Sequence, residues 1–216
     1  MQHVTQMQDT VFISGDVLAT GVSYEDFLTN FDGQHVEWVN GVVIQMASIT
    51  ERHDATTRFL ATLFQAFLEL SGGGRVLQDP MVMRLEAIGS ARAPDIQILL
   101  PDKLGFLKEN QVVGPADLVV EVVSPTSHRR DRVEKFSEYE RGGVPEYWII
   151  DPIYQEPLFY HQDEDGLYER HKPSGDGVYH SIVLKGFHLK VDLLWREELP
   201  GVFEIARIVE NMLKKT

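Results

Sequence analysis

Apolar and polar positions follow three different rhythms along this chain, and each rhythm assigns elements. From Thr50 to Leu70, Phe59, Leu60, Leu63, Phe64, Phe67 and Leu68 recur three and four residues apart, and Gly72-Gly73-Gly74 follow. That spacing predicts a long helix stopped by glycine. Ser23 to Phe31 opens on an N-cap Ser with early acids and predicts a short helix. Residues 1 to about 20 read as a loose arm leading into the domain. Val36 and Trp38, then Asn40-Gly41, then Val42 and Ile44 predict a hairpin with a primed turn. The run RVLQDPMVMRL predicts a strand pair or a bulged strand, with Pro80 at the irregularity.

Two denser runs follow: Ala93 to Leu100, then Asp117 to Val123 between Pro115 and Pro125, with a polar loop from Pro101 to Gly114. Both read as buried strands. Asp131 to Arg141 reads as a helix ended by Gly142-Gly143, and Glu146 to Ile150 as a third apolar strand. A hairpin around Asp165-Gly166, a strand over Val178 to Leu184, a last strand in GFHLKVDLLW and a C-terminal helix within 196–216 complete the chain. The order indicates a single α/β or α+β domain over 1–216, built on a mixed central β-sheet flanked by helices.

The chemistry concentrates in Ala93 to Trp148. Each of the two dense runs carries one carboxylate that a core strand disfavours, Asp95 in the first and Glu121 in the second. If these strands pair side by side, both acids reach one cation. Mg²⁺ takes one or two carboxylates and completes its shell with water and substrate phosphate. Asp131, Lys135 and Tyr139 stand at i, i+4 and i+8 on one helix face, which makes Lys135 a candidate for holding the attacking water or transition-state charge. Glu37 in the early hairpin is a candidate accessory ligand or base. His53 is a candidate second contact, and Arg129, Arg130 and Arg132 are candidate phosphate contacts.

Each residue also has a plainer reading. Asp95 after Pro94 suits a strand start, Glu121 an ion pair with an Arg, Lys135 a solvated helix position, and Glu37 an exposed strand position. His53 suits a first helical turn, and His128 a solvated loop. No Gly-x-Ser-x-Gly elbow or Gly-rich phosphate loop occurs, so serine hydrolases and those nucleotide-binding folds are unsupported.

Composition narrows the field. Cysteine is absent, which excludes thiolate zinc sites, disulfides and thiol catalysis. The N-terminus lacks the basic and apolar regions of a signal peptide, and no apolar run reaches the roughly 18 residues of a membrane span, so the expectation is a cytoplasmic protein with no membrane partner. Net charge is −13, which argues against tight nonspecific binding of DNA by bulk electrostatics but leaves room for a nuclease whose local charge is set by metal and a few cations.

Pro94-Asp95, LVVEVVSPTS, the Asp131–Lys135–Tyr139 spacing and GVPEYWIID together resemble the Uma2 family of bacterial endonucleases, within the restriction-endonuclease-like PD-(D/E)XK superfamily. VEWVNGVVIQM and ERHDATTRFLATL extend the likeness to about residues 20 to 195. The resemblance implies a restriction-endonuclease-like αβββαβ core and a Mg²⁺ (or Mn²⁺) site hydrolysing DNA phosphodiesters, with Asp95 and Glu121 as the two acids. It also implies a possible homodimer, for which the C-terminal helix is the candidate surface. The chain departs from the superfamily pattern at Val123, where Lys is usual, and Lys135 on the next helix is the natural substitute. That departure, with the acidic charge, keeps a rival in view: a catalytically silent nuclease fold acting as a protein- or nucleic-acid-binding module. Hydrolysis of RNA or another phosphoester is a third expectation.

Overall fold

The computed structural model describes residues 15–31, 33–46, 48–125, 127 and 129–214. In chain order these form β1 (Asp16–Thr20), α1 (Tyr24–Asn30), β2 (Val36–Val39), β3 (Val42–Gln45), α2 (Glu51–Ser71), β4 (Arg75–Gln78), β5 (Val82–Leu85), β6 (Ser90–Arg92), β7 (Ile96–Leu99), β8 (Gln111–Val113) and β9 (Leu118–Val122). A π-helical turn (Arg130–Lys135) runs directly into α3 (Phe136–Gly142), followed by β10 (Glu146–Asp151), β11 (Glu156–Gln162), β12 (Tyr168–His171), β13 (Val178–His180), β14 (His188–Lys190) and α4 (Val202–Leu213).

The strands build two six-stranded sheets rather than one central sheet. One has the order β1-β3-β2-β6-β5-β8 and the other β12-β11-β10-β9-β7-β4, with β13 and β14 paired separately. Each larger sheet is mixed: β5 and β8 run parallel in the first, β9 and β10 in the second. The two sheets diverge in sequence at the cis Asp79–Pro80 bond, so RVLQDPMVMRL supplies one strand to each. Likewise β6 and β7 lie in different sheets although only three residues separate them, which shortens the expected strand over 93–100 to Ile96–Leu99.

Local sequence explains the helices that matter. The Thr50 hydroxyl accepts from the His53 amide at 3.2 Å and so caps α2. Its buried stripe, including Phe64, Phe67 and Leu68, packs on the face of β7, β9 and β10 that presents Ile96, Ile98, Leu118, Val120, Val122, Trp148 and Ile150. Burying each such side chain contributes about 1.5–3 kcal/mol. The opposite face carries Val119, Val123, Tyr147 and Ile149 and packs on Tyr139 of α3 and on Met83 and Leu85 of the other sheet. At the primed turn of the first hairpin, Asn40 and Gly41 both have positive φ, 47° and 85°.

Three further expectations change. Residues 16–20 of the expected loose arm form edge strand β1, paired with β3, while residues 1–14 lie outside the described residues. Of Val178 to Leu184, only Val178–His180 is strand. The helix α4 spends its apolar face, Ile205, Val209 and Met212, in the core it shares with α2, so that face is not open to a second copy. No helix among the described residues is long and apolar enough to cross a membrane.

Candidate active site

Strand pairing sets the two acids against each other. β7 and β9 are antiparallel, with Ile96 opposite Val120 and Gln97 opposite Val119. One step further along this register places Asp95, just before β7, across from Glu121. Directly opposed residues have Cβ atoms roughly 4.5–5.5 Å apart and share a face. A bond across the pair confirms the approach: Asp95 Oδ2 accepts from the Val122 amide at 2.6 Å. Both acids line a cleft of about 150 Å³ together with His35, His53, Thr57, Asp79, Ser127, Arg130, Asp131 and Lys135.

Lys135 does what Val123 cannot. It sits at the end of the π-helical turn, and its Nζ donates to Glu121 Oε1 at 2.8 Å and lies 3.1 Å from Glu37 Oε1 and 3.9 Å from Asp131 Oδ1. Tyr139, one turn on, donates its hydroxyl to the same Glu121 Oε1 at 2.7 Å. The spacing of Asp131, Lys135 and Tyr139 thus aims all three at the acid strand, and all three are buried. The solvated reading of Lys135 is excluded by its 2 % exposure. A π-helical turn is a recurrent device at functional sites because it redirects side chains by about one position.

Glu37 proves fully buried rather than exposed. Arg92 Nη1 donates to its Oε2 at 2.8 Å, and Ala93 N donates to Oε1 at 3.3 Å. It stands behind Lys135 and outside the residues that line the cleft. Arg92 is also buried and is forked onto Glu138, with Nε 2.8 Å from Oε2. Sequence reading missed Arg92. Its one signal was a cation inside an apolar strand beside Pro94-Asp95, and its partners lie 55 and 46 residues away. The pairing of His35 with Asp79 on the cleft wall, 44 residues apart, had no local signal at all.

Electrostatics follow from this packing. Burial opposes the charge on Glu37, but Lys135, Arg92 and Arg130 outweigh it and pull its pKa down to about 2. Burial pushes Glu121 well above the carboxylate range; Lys135 opposes that, and Asp95, Asp131 and Glu37 reinforce it. Burial likewise lifts Asp131 to about 6 against the pull of Lys135 and a Ser127 hydrogen bond. Lys135 is held above its ordinary value, since Glu121, Glu37, Asp131 and Asp95 outweigh the cost of burying the ammonium. His53 is also raised: burial works against its charge, and the Asp95 carboxylate, 3.1 Å from Nε2, prevails together with Asp131.

Other candidates divide. Arg130 lines the cleft, with its guanidinium beside Gly15. Arg132 is turned away, its Nη2 donating to Asp151 at 3.1 Å and Glu156 at 2.8 Å. His128 and Thr126 lie outside the described residues. Glu121 is paired, but with Lys135 instead of an Arg, and Arg92 binds Glu37 without entering the space between Asp95 and Glu121.

Among the described residues no three His, Asp or Glu side chains form a protein-only metal cage. The donor set still suits a hard cation that needs two carboxylates and takes its other ligands from water and phosphate. Both bonds to Glu121 go to Oε1 and both to Asp95 go to Oδ2, so each acid keeps one oxygen for a further ligand.

Over residues 23–192 the sequence matches the family Uma2, described as "Putative restriction endonuclease". The fold is similar to a crystal structure from Anabaena variabilis ATCC 29413, titled "a putative nuclease belonging to DUF820". The two share 17 % identity over 74 % of this chain and 89 % of that one, with a TM-score of 0.63. No curated protein gives a significant match.

Proposed function

Given that this chain belongs to the Uma2 family, whose description is that of a restriction endonuclease, we propose that it is a metal-dependent endonuclease hydrolysing DNA phosphodiester bonds. The observation that carries the reading is the opposition of Asp95 and Glu121 on adjacent strands with Lys135 bonded to Glu121. Asp95 and Glu121 would hold Mg²⁺ or Mn²⁺, which supplies Lewis-acid polarisation of the phosphoryl oxygen and an acidified water.

The chain's own residues do the rest. Lys135 keeps a permanent positive charge at the acid pair, where it orients water and offsets charge developing on the phosphoryl oxygens. Glu37 and Tyr139 are positioning residues: the first anchors the ammonium from behind, and the second fixes the Glu121 carboxylate. His53 fixes Asp95 from α2. Arg130 stands on the cleft wall beside Lys135 as a second cation for the substrate phosphate. In the reaction a water oxygen bonds to phosphorus and gives up a proton to solvent, while the bond from phosphorus to the leaving oxygen breaks and that oxygen takes a proton from solvent, leaving an alcohol and a phosphomonoester.

The test is calorimetric titration of Mg²⁺ and Mn²⁺ into the wild type and Glu121→Ala, beside a plasmid-nicking assay. Binding and nicking should both vanish with Glu121. A second reading, a silent nuclease fold, has one observation in its favour: two buried carboxylates already hold the Lys135 ammonium. Metal binding without nicking would select it. No metal binding by the wild type would refute the site altogether.

A further inference from the structure

Beside the cleft lies a second concavity of about 250 Å³, and its character is different. Leu28, Phe31 and Met81 are among its apolar walls, the amides of Gln34, Gln78 and Asn110 supply its polar groups, and none of the described residues lining it is charged. The floor is aromatic and braced, for Phe27 and Phe31 stack with centroids 6.1 Å apart. A neutral groove with flat apolar walls and a few amides suits a planar heteroaromatic ligand.

Its position names the ligand. Gln78 lines both the groove and the cleft. The chain then steps between them residue by residue: Asp79 lines the cleft and Pro80 the groove, while Gln34 lines the groove and His35 the cleft. The groove and the cleft therefore share a rim, so a strand whose phosphate sits at Asp95 and Glu121 passes beside the groove. Charge supplies a second reason. A net charge of −13 limits what bulk electrostatics contributes to holding a strand, which gives uncharged contacts such as stacking on bases a larger share.

We propose that the groove receives one unpaired nucleobase of the strand whose phosphate occupies the cleft. This rests on the endonuclease reading and deepens it, because it makes an unstacked or single-stranded nucleotide part of the substrate. The base lies against Phe31 and Met81, and the Gln34, Gln78 and Asn110 amides offer donors and acceptors to its edge.

Two methionines report on the two sites separately, Met46 in the cleft and Met81 in the groove. Methyl-¹³C methionine spectra of the full chain are recorded with a single-stranded oligonucleotide and Ca²⁺, with both signals assigned by Met→Leu variants. Both methyls should shift. In a scan that removes one base at a time, a single abasic position should abolish the Met81 shift and leave that of Met46. Leu28→Trp, which fills the groove, should weaken binding of the intact oligonucleotide about tenfold and leave the abasic one unaffected. A Met81 methyl that stays still while Met46 moves, in a protein that nicks plasmid with Mg²⁺, overturns the groove and leaves the nuclease standing. Stillness of both methyls overturns both readings. A Met81 shift that follows the abasic position, without any nicking, supports the base site and sinks only the enzyme.

Discussion

The clearest perturbation of this site is Glu37→Gln, because the structure gives Glu37 a different task from metal binding. Its carboxylate is fully buried and takes Arg92 at 2.8 Å, Lys135 at 3.1 Å and the Ala93 amide at 3.3 Å. Its folded pKa of about 2, against an ordinary 4.5, corresponds to about 3 kcal/mol of stability from the ionised form. The cost of breaking a buried ion pair by neutralising one partner is independently about 3–5 kcal/mol. Because the folded value is depressed, the contribution is complete above pH 4.5 and is lost as pH falls towards 2. Urea unfolding should therefore show the variant about 3 kcal/mol less stable at pH 7, and about 2 kcal/mol less stable near pH 3.5, with an unchanged denaturant slope. Mg²⁺ affinity, measured where both proteins are folded, should change little. A stability loss under about 1 kcal/mol coupled to abolished metal binding would refute the clamp and make Glu37 a ligand.

Four other substitutions follow from the same structure. Asp131 titrates near 6 when folded, above its ordinary 3.8, so its ionisation is a growing penalty as pH rises between those values. Asp131→Asn should stabilise the metal-free protein by up to about 3 kcal/mol at pH 8 and by nothing at pH 3.5; an equal Tm shift at both pH values would contradict the assignment. Glu146 is fully buried and accepts from Trp148 Nε1, the Tyr179 and Ser181 hydroxyls and two backbone amides, tying β10 to the β13–β14 region. Glu146→Ala strands these donors and should cost more than about 3 kcal/mol, with hydrogen exchange rising first at residues 178–190. Gly74 has φ +131°, and an added Cβ would lie 2.8 Å from the Leu99 carbonyl oxygen, so Gly74→Ala should lower Tm through the α2–β4 connection while Gly73→Ala, with open space, costs less.

What the chain reveals by itself depends on how local the cause is. The long helix α2 is legible because its apolar stripe recurs as three pairs four residues apart, Phe59-Leu60, Leu63-Phe64 and Phe67-Leu68, and both ends carry caps. Asp95 and Glu121 are legible because an acid inside an apolar run contradicts its surroundings, and Lys135 because helical spacing ties it to Asp131 and Tyr139. Glu37 is a candidate accessory ligand or base from the sequence, with an exposed position as its plainer reading; alternation in a four-residue strand does not reveal that its side chain is buried against Arg92 of another strand. The split into two sheets was hidden for a similar reason. Short runs such as RVLQ and VMRL look alike, and only long-range pairing decides which sheet takes each. The apolar face of α4 is a candidate dimer surface from the sequence because amphipathicity does not show what covers it, and here α2 does.

The placement of the lysine connects fold to chemistry. In the usual pattern Lys follows the second acid by two positions on the same strand, on the same side as that acid. Here that position is Val123, which packs with Tyr139 and Tyr147 in the core between sheet and helix. Bringing Lys from the helix instead buries its whole stem and makes its charge dependent on two flanking acids, Glu121 in front and Glu37 behind. Glu37 and Glu121 cannot both be neutralised by one ammonium, so the arrangement needs Arg92 to satisfy Glu37 from the far side. With Glu37 ionised and held low, the excess negative charge is pushed forward onto Glu121, Asp95 and Asp131. Burial raises the values of Glu121 and Asp131, and the neighbouring carboxylates add to that rise. A divalent cation held by Asp95 and Glu121 would offset that charge, so metal binding should release protons at pH 6. A calorimetric enthalpy that varies with the ionisation enthalpy of the buffer would register them, and a buffer-independent enthalpy would show that the acids already carry their full charge.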